Sequence, residues 1–174
     1  MLHFHRHAAE ETVRQQNTVG AALLSLGFFF LGYFIWTGNA TAAEVIELTQ
    51  TPCQFVEPEG GEKGFTSTKK ADCVAINAKN GESRVEAANV IMLKSGDYVF
   101  RVTNKNVPYP LGFWLRESDY DWKNPLHKLT KISVSGGGLT TGKSLDYEVS
   151  LKPGEYVYSC PLNTTPDYKL VVSE

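Results

Sequence analysis

The sequence predicts an all-β domain, a sandwich with Greek-key connections, preceded by a single N-terminal apolar helix. Three observations carry this reading. Beyond residue 43, short runs rich in Val, Tyr, Phe and Leu alternate with period two, as in 97–103, 144–151 and 155–159. That is the pattern of strands buried on one face. Gly and Pro punctuate these runs at Ser95-Gly96, Pro108 to Pro110 and Pro153-Gly154, where turns need a preset or positive φ. No long run of helical period follows residue 43, whereas the uncharged stretch TVGAALLSLGFFFLGYFIW stands before it.

Residues 1–17 are polar and read as helical from about Ala8, because neither Gly nor Pro interrupts them. His3, His5 and His7 have no further ligand to complete a metal site and read as a cytoplasmic flank. Residues 18–37 form the predicted span: at about 1.5 Å per residue the run matches a hydrocarbon core of about 30 Å. Tyr33 and Trp36 lie towards its C-terminal end, where amphipathic rings favour the interface. Arg6 and Arg14 precede the run and the first charges after it are Glu44 and Glu47, so the N-terminus is placed in the cytoplasm of a bacterial cell. Gly20, Ser25, Gly27 and Gly32 are small positions that let another membrane helix approach closely. The alternative is a cleaved signal peptide, since Ala40-Thr41-Ala42 before Ala43 fits a cleavage site. The long polar lead with Glu10 and Glu11 favours a retained anchor in the inner membrane. Either way residues 44–174, joined through a linker at 38–43, lie on the periplasmic side.

In the exported part, residues 44–49 read as the first strand. The polar segment 57–89 reads as an ordered loop with a short helical turn around 69–75. Three cysteines, Cys53, Cys73 and Cys160, leave at least one thiol outside intramolecular pairing. Cys53 and Cys73 bracket the polar segment, and a bridge closing it is worth about 3 kcal/mol by the chain-entropy account. Pairing of Cys160 with one of them is the alternative. Strands follow at 90–93, 97–103 and 111–116. An insertion at 117–131 holds Tyr120, Trp122, Pro125 and His127. Gly136 to Gly138 read as a loop, and the strands 144–151, 155–159 and 168–172 complete the domain.

Composition narrows the function classes. A formal charge of −2 supplies no basic face for nucleic acid. No G-x-S-x-G elbow, H-E-x-x-H helix or phosphate-binding glycine loop is present, and no nucleophile–base pair can be assigned, so an enzyme is not expected. The scattered carboxylates Asp119, Asp121, Asp146 and Asp167 read as solvated surface.

Two segments, LKSGDYVFRVTN and LKPGEYVYSC, resemble the strand pairs that carry copper ligands in cupredoxins. The likeness covers roughly residues 85–172. It implies a cupredoxin-like Greek-key sandwich in which Cys160 sits where the family's cysteine ligand stands. The family's first histidine would fall within 104–112 and its second a few residues after Cys160, yet neither segment contains histidine. A blue-copper centre needs two imidazoles beside the thiolate, so no cofactor is expected. A Cys160–His127 metal pair is the one alternative. In cupredoxins the ligand-loop end faces redox partners. The likeness therefore implies an apolar partner-binding patch built from Tyr109, Trp114, Tyr120 and Trp122 with the loops 107–110 and 161–166. From fold and topology the expectation is a non-catalytic accessory subunit of a bacterial membrane electron-transfer complex, beside a partner such as a cytochrome subunit. Two alternatives stay open: a copper-binding or electron-transfer protein using Cys160, and a stand-alone envelope ligand-binding module.

Overall fold

The structure is a computed structural model that describes residues 42–174. The apolar run at 18–37, its packing positions Gly20, Ser25, Gly27 and Gly32, and the flank at 1–17 lie outside the described residues. Among the described residues, no helix is long and apolar enough to cross a membrane.

Among the described residues, nine strands form two facing sheets. β1 (Glu44–Thr51), β2 (Gln54–Phe55), β4 (Gly96–Asn104) and β7 (Ser144–Leu151) make one sheet, in the order β2-β1-β4-β7. The other holds β3 (Ile91–Lys94), β5 (Leu111–Glu117), β6 (Ser133–Leu139), β8 (Gly154–Ser159) and β9 (Tyr168–Ser173), in the order β3-β9-β8-β5-β6. The pairs β1/β4 and β3/β9 are parallel and the others antiparallel. The chain changes sheet between β2 and β3, β3 and β4, β4 and β5, β6 and β7, and β7 and β8, which makes a two-layer all-β sandwich.

Alternation fixes which side chains turn inward. Along β4, Tyr98, Phe100, Val102 and Asn104 are buried while their neighbours are not, and Tyr168, Leu170 and Val172 on β9 do the same; on β8, Tyr156 and Tyr158 turn inward and Ser159 beside Tyr158 is buried as well. The core is aromatic. Phe55 meets Phe113, Tyr158 and Tyr168 edge-on, with ring centroids 6.2, 5.5 and 5.8 Å apart. Phe100 stacks on Phe113 at 5.7 Å. Such offset and edge contacts add to simple area burial.

Two expectations need correction. The segment at 57–89 is not a loop with one helical turn, for it contains a full helix, α1 (Lys70–Glu86). Its start is fixed by Asp72, whose carboxylate accepts the backbone N–H groups of Thr68 at 2.9 Å and Lys69 at 3.2 Å, in the manner of an N-terminal cap. Those bonds, the Thr68 N–H first among them, hold the Asp72 carboxyl below its usual range. The face α1 turns to the sandwich is Cys73, Asn77, Gly81 and Arg84, small and polar rather than apolar, so no hydrophobic period announces it. One helical turn, α2 (His127–Thr130), lies in the insertion.

The triple glycine is likewise not a loop, since Gly136 to Gly138 belong to β6. A β-carbon on Gly136 would stand 2.8 Å from the Tyr147 ring, and one on Gly112 would stand 2.5 Å from the Gly136 carbonyl oxygen. Glycine is therefore demanded by close approach at a register shift between Leu111 and Gly112, a known use of strand glycines.

Candidate functional site

Register defines the two ends of the sandwich. At one end stand Gln50 opposite Asn104, Leu111 opposite Leu139, and the close of β8 before Cys160. Glu44, Gly96, Leu151, Gly154 and Glu117 gather at the other.

Cys160 is fully buried at the first end. Its Sγ accepts the backbone N–H of Gly112 at 3.4 Å and that of Asn163 at 3.2 Å. Its own N–H donates to Thr165 Oγ1 at 2.8 Å. The tight loop 161–166 is thereby folded back over the sulfur. Burial pushes the Cys160 thiol up, against the N–H bonds that pull it down, so the group is held as a neutral thiol.

Neutral amides surround it. Gln50 Nε2 donates to the Gly112 carbonyl at 2.8 Å. Asn163 Nδ2 donates to the Thr51 carbonyl at 2.8 Å and to Gln50 Oε1 at 3.4 Å, while its Oδ1 accepts the Cys53 N–H at 2.9 Å. Asn163 Oδ1 also lies 3.5 Å from Cys73 Sγ, and Cys53 and Cys73 form a disulfide with a Cα–Cα distance of 4.8 Å. Asn163 thus ties the Cys160 loop, β1 and the disulfide together through its single side chain. Because all these atoms are buried, leaving any of them unpaired would be costly.

Behind the disulfide lies an ion pair. Arg84 Nη2 is 2.5 Å from Glu59 Oε1, and the Glu59 side chain is only 1 % exposed. Arg84 also donates to the Cys53 carbonyl at 3.0 Å, and its guanidinium stands 4.6 Å from the Phe65 ring centroid. Tyr168 donates its hydroxyl to Glu59, and burial pushes the Tyr168 phenol strongly up. Asn77 joins the same cluster, donating to the Cys53 carbonyl at 3.3 Å and to the Thr164 carbonyl at 2.5 Å.

This set of donors does not fit a blue-copper ion. Leu111, fully buried, stands in the segment where the resemblance places the first histidine, and Asn163 in the loop where it places the second. One protonated thiol and two carboxamides lack the imidazoles that copper requires. His127 does not supply one, because it sits in the insertion that leaves β5 at the opposite end, past Glu117. There its Nδ1 accepts the Asp121 N–H at 2.9 Å. The alternative Cys160–His127 pair is therefore not made. Among the described residues, no group of three or more His, Cys, Asp or Glu is placed to hold a metal ion.

The four expected partner-binding aromatics divide. Trp114 points out from β5, where its Nε1 donates to Ser133 Oγ at 2.9 Å and the Arg116 guanidinium covers its ring at 4.0 Å. Tyr120 folds against it edge-on at 6.0 Å. Towards the Cys160 end, Trp114 borders a shallow depression of about 420 Å³ with Gly112, Gly136, Pro161 and Leu162. Tyr109 is tied elsewhere: its hydroxyl is 2.7 Å from Ser67 Oγ and 3.7 Å from Cys73 Sγ. Trp122, 63 % exposed, lies in the insertion, so the expected single patch is not formed.

Gln50, Glu59 and Arg84 carried no signal in sequence, being polar residues in polar surroundings. Asn163 had one, its place two residues beyond Pro161 in the loop after Cys160.

No protein-family model and no curated protein matches the chain. Among solved structures it is similar to auracyanin B, at 15 % identity over 79 % of this chain and 94 % of that one, with a TM-score of 0.46. It is also similar to reduced auracyanin from the photosynthetic bacterium Roseiflexus castenholzii, at 11 % identity over 77 % and 100 % of the two chains, with a TM-score of 0.47. A multi-copper oxidase from Pediococcus acidilactici matches at 10 % identity over 78 % of this chain and 27 % of its own, with a TM-score of 0.36. The fold assignment rests on the strand order and register given above.

Proposed function

We propose that this chain is a non-catalytic accessory subunit of a bacterial membrane electron-transfer complex, of the reaction-centre or respiratory-oxidase type. In this reading residues 18–37 dock among other membrane helices, and a copper-free cupredoxin-like domain packs on an exported partner such as a cytochrome subunit. The observation that carries it is the closed network around Cys160. The position that would hold a redox metal is filled by a neutral thiol, Gln50, Leu111 and Asn163, which supports a binding role over an electron carrier. Trp114, Pro161 and Leu162, the last 43 % exposed, offer apolar contact area at that same end, of the kind that anchors interfaces.

The test is extraction of the full chain in mild detergent, with intact mass and metal content read on one sample. Retention of residues 1–43, no stoichiometric copper and co-migrating haem-bearing subunits are expected. About one copper per chain with a thiolate-to-copper absorption band would replace the proposal with the metal-protein reading. Migration alone and metal-free would overturn the subunit role in favour of a stand-alone binding module.

A further inference from the structure

The insertion between β5 and β6, residues 118–132, is not used by the site above. Both its ends are fixed at the sandwich end remote from Cys160. Ser118 N donates to the Glu155 carbonyl at 2.9 Å, and Ile132 N donates to Glu117 Oε1 at 2.7 Å. Its frame is well satisfied: Lys131 Nζ lies 2.6 Å from Asp119 and 3.3 Å from Glu117, and Asp121 Oδ1 accepts the Lys123 N–H at 2.9 Å. On this ordered frame the apolar side chains turn to solvent. Trp122 is 63 % exposed, Leu126 64 % and Leu129 85 %. An isolated exposed leucine needs no explanation, but three large apolar groups within eight residues do.

The charges interleaved with them have one sign. From Trp122 to Thr130 the ionisable groups are Lys123, His127 and Lys128, with no carboxylate. Lys123 Nζ stands 5.4 Å from the Trp122 ring centroid. Tryptophan and leucine among lysines is the composition that lies at a lipid headgroup boundary, where rings and alkyl chains enter and ammonium groups stay with phosphate.

Position selects the occupant. The described chain enters the sandwich at Glu44, which pairs with Tyr98 at the same end where Glu117 pairs with Tyr156. Residues 37–43 join the uncharged run ending at Trp36 to Glu44, a link that spans at most about 25 Å when extended. The geometry points to the insertion as a second membrane contact, with Trp122, Leu126 and Leu129 resting in an anionic phospholipid surface and Lys123 and Lys128 on its phosphates. This inference rests on the reading of residues 18–37 as a membrane anchor, and the test separates the two.

The full chain carrying W36F and W114F, so that Trp122 is the one tryptophan left, is reconstituted in phosphatidylcholine–phosphatidylglycerol vesicles. The lipids are brominated high on the acyl chain or left unbrominated. A carbonate wash first reports whether the chain stays in the bilayer. The expected result is retention, loss of Trp122 emission in the brominated vesicles, and a blue shift relative to detergent solution. Adding L126S and L129S, both at exposed positions that leave folding intact, is expected to reverse the shift and restore the emission. Retention with bromine-insensitive emission that aqueous iodide quenches freely would overturn the membrane contact while leaving the anchor standing. Loss of the chain to the wash would overturn both. Protection of Trp122 that arises only when partner subunits are present would place a protein there and overturn the lipid assignment.

Discussion

Arg84 and Glu59 form an ion pair, 2.5 Å apart, beneath the Cys53–Cys73 disulfide, with the carboxylate withdrawn from solvent. A buried pair is costly to break by halves, because the remaining charge keeps its desolvation penalty without its partner. Arg84→Met is therefore expected to cost about 3–5 kcal/mol in urea unfolding. Glu59→Leu combined with Arg84→Met should cost less than the sum of the single changes. Strict additivity would mean that the two residues do not act as a pair.

Asn163→Ala removes the acceptor of the Cys53 N–H and the donor to the Thr51 carbonyl, both buried. With each of the two orphaned groups worth about 1–3 kcal/mol, a loss of about 2–6 kcal/mol is expected in denaturant unfolding. A change below about 0.5 kcal/mol, the usual size for surface positions, would show that the loop relaxes without it.

Reduction of the disulfide opens a loop between residues 20 apart in sequence. The expected loss of stability is about 3 kcal/mol. Because Cys73 lies in the first turn of α1, amide exchange should accelerate first in that helix, while the Phe100–Phe113 core stays protected. Uniform acceleration across the domain would show that α1 is not a separable unit.

The neutral state of Cys160 makes the domain sensitive to alkali. Its folded thiol titrates above its ordinary value of 9.0 because of burial, and the Tyr158 and Tyr168 phenols are raised from 10.0 by the same cause. For each group the unfolded chain loses its proton first as pH rises, so the stability is full below the unfolded values and declines above them. Unfolding free energy measured from pH 7 upward should be flat to about pH 8 and then fall. Cys160→Ala should delay the onset of the fall. The same burial predicts that a thiol reagent modifies Cys160 in the unfolded chain and not in the native one.

Much of the sandwich was legible because its strands obey a period that water imposes on any half-buried ribbon. β4 announces itself through Tyr98, Phe100 and Val102, β8 through Tyr156 and Tyr158. What escaped notice is what does not depend on apolar burial. α1 is held by Cys73, Asn77 and Arg84, whose contacts are covalent, amide and ionic, and it buries only Cys73 and Gly81. β6 hides behind glycines chosen for the ring of Tyr147 and the backbone at Gly112. At the site, the lack of histidines beside Cys160 could be read directly. The residues standing in their place could not, since Gln50 and Asn163 meet only through a separation of 113 residues. The division of the aromatics was equally out of reach, because it follows from which end of β5 the insertion leaves.

β9 lies inside its sheet, between β3 and β8, and pairs in parallel with the first and antiparallel with the second. Among the described residues it is also the last strand in chain order. Until Tyr168 to Ser173 have emerged, β3 has no neighbour at all and β8 lacks one of its two, and Tyr158 has no Tyr168 to stack upon. Closure of this sheet therefore depends on pairing strands far apart in sequence, which costs loop-closure entropy before it is repaid. Until that strand docks, β3 and one edge of β8 present unpaired backbone groups, a template for pairing with another chain.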